Sequence, residues 1–133
     1  MSKEKQRTQM VKYWWKKAQK SLNSARREFE AEAYDFTINR LYYAAMYGVS
    51  AVLLERKMSF KKHSGVRAYF HKKIIKEELL DIKWGKFYDK LFEDRQESDY
   101  TAFVDFDEDY VKEQLELCEQ FLQELKDLLK NIE

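Results

Sequence analysis

The sequence predicts an all-α fold: an up-and-down bundle of four long helices with a shorter helical segment between the second and third. Three observations carry this. Proline is absent and glycine occurs only at Gly48, Gly65 and Gly85, so little interrupts a helix. Apolar residues recur at spacings of three and four over long stretches, which is the helical period. The 133 residues suit one domain, 1–133, and 9 Tyr, 9 Phe and 3 Trp supply its core.

The first helix is expected from Thr8, a candidate N-cap, to about residue 30. Trp14, Ala18, Leu22 with Ser21, Ala25 and Phe29 form its apolar face, and Lys12, Lys16, Lys17 and Lys20 take the other sides. Lysines at a helix start oppose its dipole, so they need another reason to be there, such as an acidic partner. The second helix is expected from about Tyr34 to Arg56. Leu41, Ala45, Val49 and Val52 mark one face, while Tyr43, Met46, Tyr47 and Leu54 spread apolar character around the rest. A helix apolar on all sides is buried on all sides. In a bundle of four that predicts cover from a second subunit, and Ala44, Ala45, Gly48, Ser50 and Ala51 are small enough for close approach. A homodimer is the expected assembly.

Residues 58–64 read as a loop, with Ser59 or Ser64 available as a cap. A short basic segment, roughly 64–76, follows with Val66, Phe70 and Ile74 at i, i+4 and i+8. The fourth helix, about 80–98, turns Trp84, Phe87, Tyr88, Leu91 and Arg95 inward. Residues 101–106 break the pattern, and Asp107 is an N-cap with Glu108 and Asp109 in a favourable first turn. Val111, Leu115, Cys118, Phe121, Leu122, Leu125, Leu129 and Ile132 then form a regular core stripe.

Net charge is +1, but its distribution is uneven. Residues 1–27 carry 9 basic and 1 acidic side chains, 56–76 carry 8 basic and none acidic, and 77–133 carry 7 basic against 18 acidic. Such blocks suit either a polyanion or complementary packing within the protein. The longest uncharged stretch, Leu41–Leu54, is 14 residues, too short to span a bilayer. Lys3, Lys5 and Arg7 lead into Tyr13-Trp14-Trp15-Lys16 rather than a signal-peptide core. Cys118 is single and falls on the core stripe, so it reads as a buried small hydrophobe. No membrane is expected as a partner, and the cytoplasm is the expected compartment.

Phosphate-loop and paired-cysteine signatures are missing, and neither a metal nor a cofactor is expected. His63 and His71, eight residues apart, would stand about 12 Å apart along a helix and cannot share a metal. The cluster that invites chemistry is Arg95-Gln96-Glu97-Ser98-Asp99-Tyr100. Arg95 falls near an apolar stripe, where a guanidinium needs partners. Asp35, Asn39 and Arg40 are polar positions on the otherwise apolar second helix. If helices two and four are neighbours, these groups meet Arg95, Asp99 and Tyr100 in a polar cleft, either as a buried network or as an anion site. RNA cleavage through the 2′-hydroxyl needs a base, a cation on the phosphate and an acid for the leaving oxygen. Arg95 can be the cation, with Asp99, Tyr100 or a histidine in the other roles. His63 lies outside the cluster in sequence, and folding decides whether it joins.

The chain resembles a HEPN domain, the small helical domain of higher eukaryotes and prokaryotes, in the compact prokaryotic form encoded beside minimal nucleotidyltransferases. The resemblance covers about residues 13–129. It rests on Ala18-x3-Leu22-x2-Ala25, on Tyr34-Asp35 leading to Asn39-Arg40-Leu41-Tyr42-Tyr43-Ala44-Ala45-Met46-Tyr47, on Lys62-His63-Ser64-Gly65-Val66, and on Arg95-x3-Asp99-Tyr100. It implies a homodimer whose arginine-bearing helices face a shared cleft, with a separately encoded minimal nucleotidyltransferase as partner. Many members are metal-independent endoribonucleases that act as toxins; others bind nucleotides or are non-catalytic partners. The nuclease motif is an arginine, a polar residue and a histidine about five positions on. Arg95 and Gln96 match, whereas positions 99, 100 and 101 are Asp, Tyr and Thr. The expected site is therefore Arg95, Asp99 and Tyr100 for catalysis, with Asp35, Asn39, Arg40, Arg95 and His63 for nucleotide or RNA binding. The resemblance also makes Tyr100 a candidate for nucleotidyl modification. A metal-independent endoribonuclease and a plain helical interaction scaffold are the alternatives to the partner role.

Overall fold

The computed structural model describes residues 2–58, 62–100 and 105–130, the side chain of Tyr100 excepted. Among these residues there are five α-helices and no strand: α1 (Lys3–Glu30), α2 (Tyr34–Glu55), α3 (His63–Phe70), α4 (Ile82–Tyr100) and α5 (Glu108–Leu128). A π-helical turn, His71–Ile75, continues α3. The long helices α1, α2, α4 and α5 form the up-and-down bundle, with α3 inserted between the second and third of them.

The structure corrects the start of α1. Ser2 is the cap, its hydroxyl accepting from the Lys5 amide at 3.2 Å. Thr8 lies inside the helix and donates to the Glu4 carbonyl at 3.0 Å. The inward stripe is Val11, Trp15, Ala18, Leu22 and Ala25, while Trp14 and Phe29 are half-buried. Trp15 stands three and seven residues before Ala18 and Leu22, on the stripe itself, and Trp14 lies on its edge. Further along, Ala33, Met58 and Leu79 amides each reach five residues back, to Glu28, Leu53 and Ile74 carbonyls at 2.9 Å. The residues before them, Glu32, Lys57 and Glu78, are left-handed, with φ of 61°, 69° and 60°. These are Schellman-type stops built without glycine.

α2 is the hub of the molecule, packed against α1, α3, α4 and α5. Ile38, Leu41, Tyr42, Ala44, Ala45, Val49 and Ala51 are fully buried within the single chain. Most of the apolar girth of α2 is thus covered by four helices of its own monomer, while Tyr43, Tyr47 and Leu54 stay half-buried and Phe36 is exposed. Its small residues serve the same packing: a Cβ on Gly48 would stand 2.9 Å from side-chain atoms of both Leu122 and Leu125 on α5.

Asp107 caps α5 as expected, accepting from the Tyr110 amide at 3.3 Å. Val111, Cys118, Phe121, Leu122 and Leu125 are buried, Leu115 is half-buried, and Leu129 follows the helix end. The Cys118 thiol donates to the Leu41 carbonyl at 3.7 Å, and burial pushes its pKa up. Ser59, Ile132 and residues 101–104 lie outside the described residues. No helix among the described residues is long and apolar enough to cross a membrane.

Candidate functional site

Three elements bring polar groups to one place. α2 supplies Tyr42 and Tyr43, α4 supplies Arg95 and Asp99, and the first residue of α3 supplies His63. Arg95 occupies the inward stripe of α4 one turn beyond Leu91, and is 9% exposed. Its guanidinium carbon stands 4.8 Å above the Tyr42 ring and 5.7 Å from that of Tyr43. Its Nη1 donates to the Tyr43 hydroxyl and to Asp99 Oδ2, both at 3.3 Å. Its Nε is buried without a hydrogen-bond partner. Two long contacts and an orphaned donor leave this cation under-satisfied for its depth, which is unusual for a purely structural arginine.

His63 closes the cluster. Its ring centre lies 5.7 Å from that of Tyr42 and 5.6 Å, edge-on, from that of Tyr43. Burial lowers its pKa, and the nearby charge of Arg95 lowers it further. Both effects disfavour a second cation there and favour the neutral imidazole. The Tyr42 phenol is itself pushed up to about 12 by burial. Neutral aromatics therefore surround one positive charge.

The other sequence-chosen residues make their described bonds elsewhere. Asp35 is exposed and accepts from the Phe36 amide at 2.9 Å. Arg40 turns towards α1, donating from Nε to Ser24 at 3.2 Å and from Nη1 to its neighbour Asn39. Ser21 fastens the same junction by donating to the Arg40 carbonyl at 2.7 Å. No described hydrogen bond joins Asp35, Asn39 or Arg40 to Arg95. The Tyr100 side chain lies outside the described residues.

Two neighbouring features were absent from the sequence reading. Asp94, 2% exposed, accepts from the Tyr110 hydroxyl and pairs with Lys90 at 3.2 Å, locking α4 to α5. Asp89 Oδ1 accepts from Arg67 Nε and bonds His71 Nε2, each at 2.8 Å, locking α3 and the π turn to α4. Charged residues at helical spacing were the only signal for either. Among the described residues no three His, Cys, Asp or Glu side chains gather as a metal site.

Fold and cluster together make this a small helical bundle with a tyrosine-cradled arginine on its third long helix, α4. The HEPN domain family model matches residues 11–128, and the chain belongs to that family. It is 35% identical over 127 residues to a UPF0332 protein of Thermotoga maritima, covering 96% of each chain. It is 36% identical over 118 residues to a protein of Methanocaldococcus jannaschii named "putative toxin", covering 87% of this chain and 80% of that one. A second protein of that organism with the same kind of name is 29% identical over 115 residues, covering 86% of this chain and 85% of the other.

Proposed function

We propose that this chain is a toxin-like HEPN protein whose Arg95 cluster binds the phosphate of RNA or of a nucleotide, and that it works with a separately encoded minimal nucleotidyltransferase. The observation that carries the phosphate reading is the buried Arg95 guanidinium with an unpartnered Nε. A phosphate oxygen supplies an acceptor and negative charge beyond the long Asp99 contact, and the planar fork suits two oxygens at once. The names of the Methanocaldococcus jannaschii relatives support the toxin-like role. Family membership supports a homodimer; the girth of α2 adds less, because its own chain covers most of it. The cytoplasm and the transferase belong to the same proposal.

Affinity for a short RNA, measured for wild type, Arg95→Lys and Arg95→Ala at two salt concentrations, tests the site. A charged hydrogen bond contributes about 1.5–3 kcal/mol, so Arg95→Ala should bind at least about tenfold more weakly. Lysine keeps the charge, loses the fork and should fall between. Equal binding by all three, with helicity intact, makes the arginine structural. For the transferase, failure of the genomic neighbour to co-purify with this protein would sink the partnership.

His63 favours a second reading, a metal-independent endoribonuclease. A neutral imidazole beside Arg95 has the lone pair to take the 2′-hydroxyl proton as that oxygen attacks phosphorus. Arg95 stabilises the phosphate charge that builds up, Asp99 orients Arg95, and Tyr100 is the candidate to protonate the leaving 5′-oxygen. Cleavage in EDTA that survives both Arg95→Ala and His63→Ala would remove this assignment.

A further inference from the structure

Beside the Arg95 cluster lies a groove of about 290 Å³ between α1, α2 and the start of α3. Tyr43 and His63 line both the groove and that cluster; Trp14, Tyr47, Lys17 and Lys62 line the groove as well. Among the described residues no carboxylate lines it. The Lys17 ammonium lies 4.9 Å from the Tyr47 ring centre, 5.3 Å from Trp14 and 5.6 Å from Tyr13. Trp14 and Tyr47 are themselves 5.6 Å apart and tilted by 33°. These are half-buried aromatic faces whose present occupant is a flexible, displaceable side chain. The basic blocks of the chain border the groove, α1 on one side and Lys62 on the other. Between α1 and the acidic α5 the one described side-chain ion pair is Arg26–Glu119, at 2.7 Å.

We propose that this groove is a base-binding subsite for single-stranded RNA: one unpaired base stacks on Trp14 and Tyr47, while its backbone runs past Tyr43 and His63 to Arg95. The proposal rests on the phosphate reading of Arg95 and extends it from a charge site to a nucleotide-length one. Aromatic faces accept any unpaired base, and a duplex cannot offer one, so the ligand is single-stranded. Lys17 moves off the rings when the base enters and pairs with the adjoining phosphate, so the charge that fills the empty groove serves the filled one. Second copies of this chain are the competing occupant, because the same aromatic faces could close a dimer.

Trp14 is half-buried and lines the groove, whereas Trp15 and Trp84 are 5% and 2% exposed, so a fluorescence change on binding reports Trp14. The experiment titrates wild type, Trp14→Leu, Tyr47→Leu and Arg95→Ala with a six-nucleotide oligouridylate and with an abasic oligomer of equal charge. Helicity and sedimentation are recorded for each variant. Wild type should bind oligouridylate about tenfold more tightly than the abasic chain, with quenching absent in Trp14→Leu. Each groove variant should lose that preference and keep its abasic affinity. Arg95→Ala should weaken both ligands together and keep their ratio. Equal wild-type affinities with intact Arg95 dependence overturn the subsite and leave the phosphate reading standing. A base preference that persists while Arg95→Ala changes nothing overturns the phosphate reading and the path to it. Binding of neither ligand overturns both, and a groove variant that turns a dimer into a monomer assigns the groove to a second copy.

Discussion

Two aromatic clusters share this bundle, and the same residue types do opposite work in them. Around Phe121, the rings of Phe70, Trp84, Phe87 and Tyr88 pack with centres between 5.1 and 6.5 Å apart and no charge among them. Around Tyr43, the rings of Tyr42, Tyr47 and His63 pack at 5.2 to 5.7 Å, yet they enclose Arg95 and open on a groove. Tyr42 belongs to both, 6.2 Å from Tyr88 and 4.8 Å from the guanidinium. Ring packing therefore does not distinguish a core from a site. The under-satisfied charge does, because a buried cation costs stability and persists only where something else requires it.

The largest effect tests the dry cluster. Phe121→Ala removes a fully buried ring from the contact of α4 with α5 and should cost about 3–5 kcal/mol in denaturant unfolding. RNA affinity of the folded fraction should stay unchanged; a parallel fall would mean that the two clusters act as one unit.

Arg95→Met sharpens the contrast from the other side. Methionine keeps volume against Tyr42 without the charge, so stability should hold within about 1 kcal/mol of wild type or rise. A loss of several kcal/mol would show that the charge holds the fold. Tyr43→Phe should cost about 0.5–1.5 kcal/mol, because it removes one hydrogen-bond acceptor from Arg95 and leaves the ring in place.

The smallest effect is electrostatic. Burial and Arg95 together hold the His63 pKa below the ordinary value of 6.5. The folded protein therefore binds this proton less readily than the unfolded chain. The contribution is full above 6.5 and is lost as pH falls through the lowered folded-state value. Arg95→Met should raise the His63 pKa in a ring-proton titration; no change would place the two groups too far apart to act together.

Arg95 was legible in the sequence because Trp84, Phe87, Tyr88 and Leu91 set a period that reaches it. The inward side of α5 and its Asp107 cap followed from the same period and from cap chemistry. His63 was not legible as a neighbour of Arg95. Its place depends on how the chain returns after α2, and no local pattern encodes that path. The start of α1 was expected at Thr8, although Ser2 offered at least as strong a cap. The girth of α2 was legible, but its cause was not. Periodicity reveals how much of a helix is covered and cannot say whether its own chain or another one provides the cover.

The central claim is that the Arg95–His63 end of the molecule receives a phosphate. Its most direct test follows the ring protons of the two histidines while a short single-stranded RNA is added. His71, bonded to Asp89 in a different part of the structure, serves as the internal reference. His63 should shift and saturate with the binding curve, His71 should stay still, and Arg95→Ala should abolish the shift. A shift at His71 alone, or a His63 shift that survives Arg95→Ala undiminished, would contradict it.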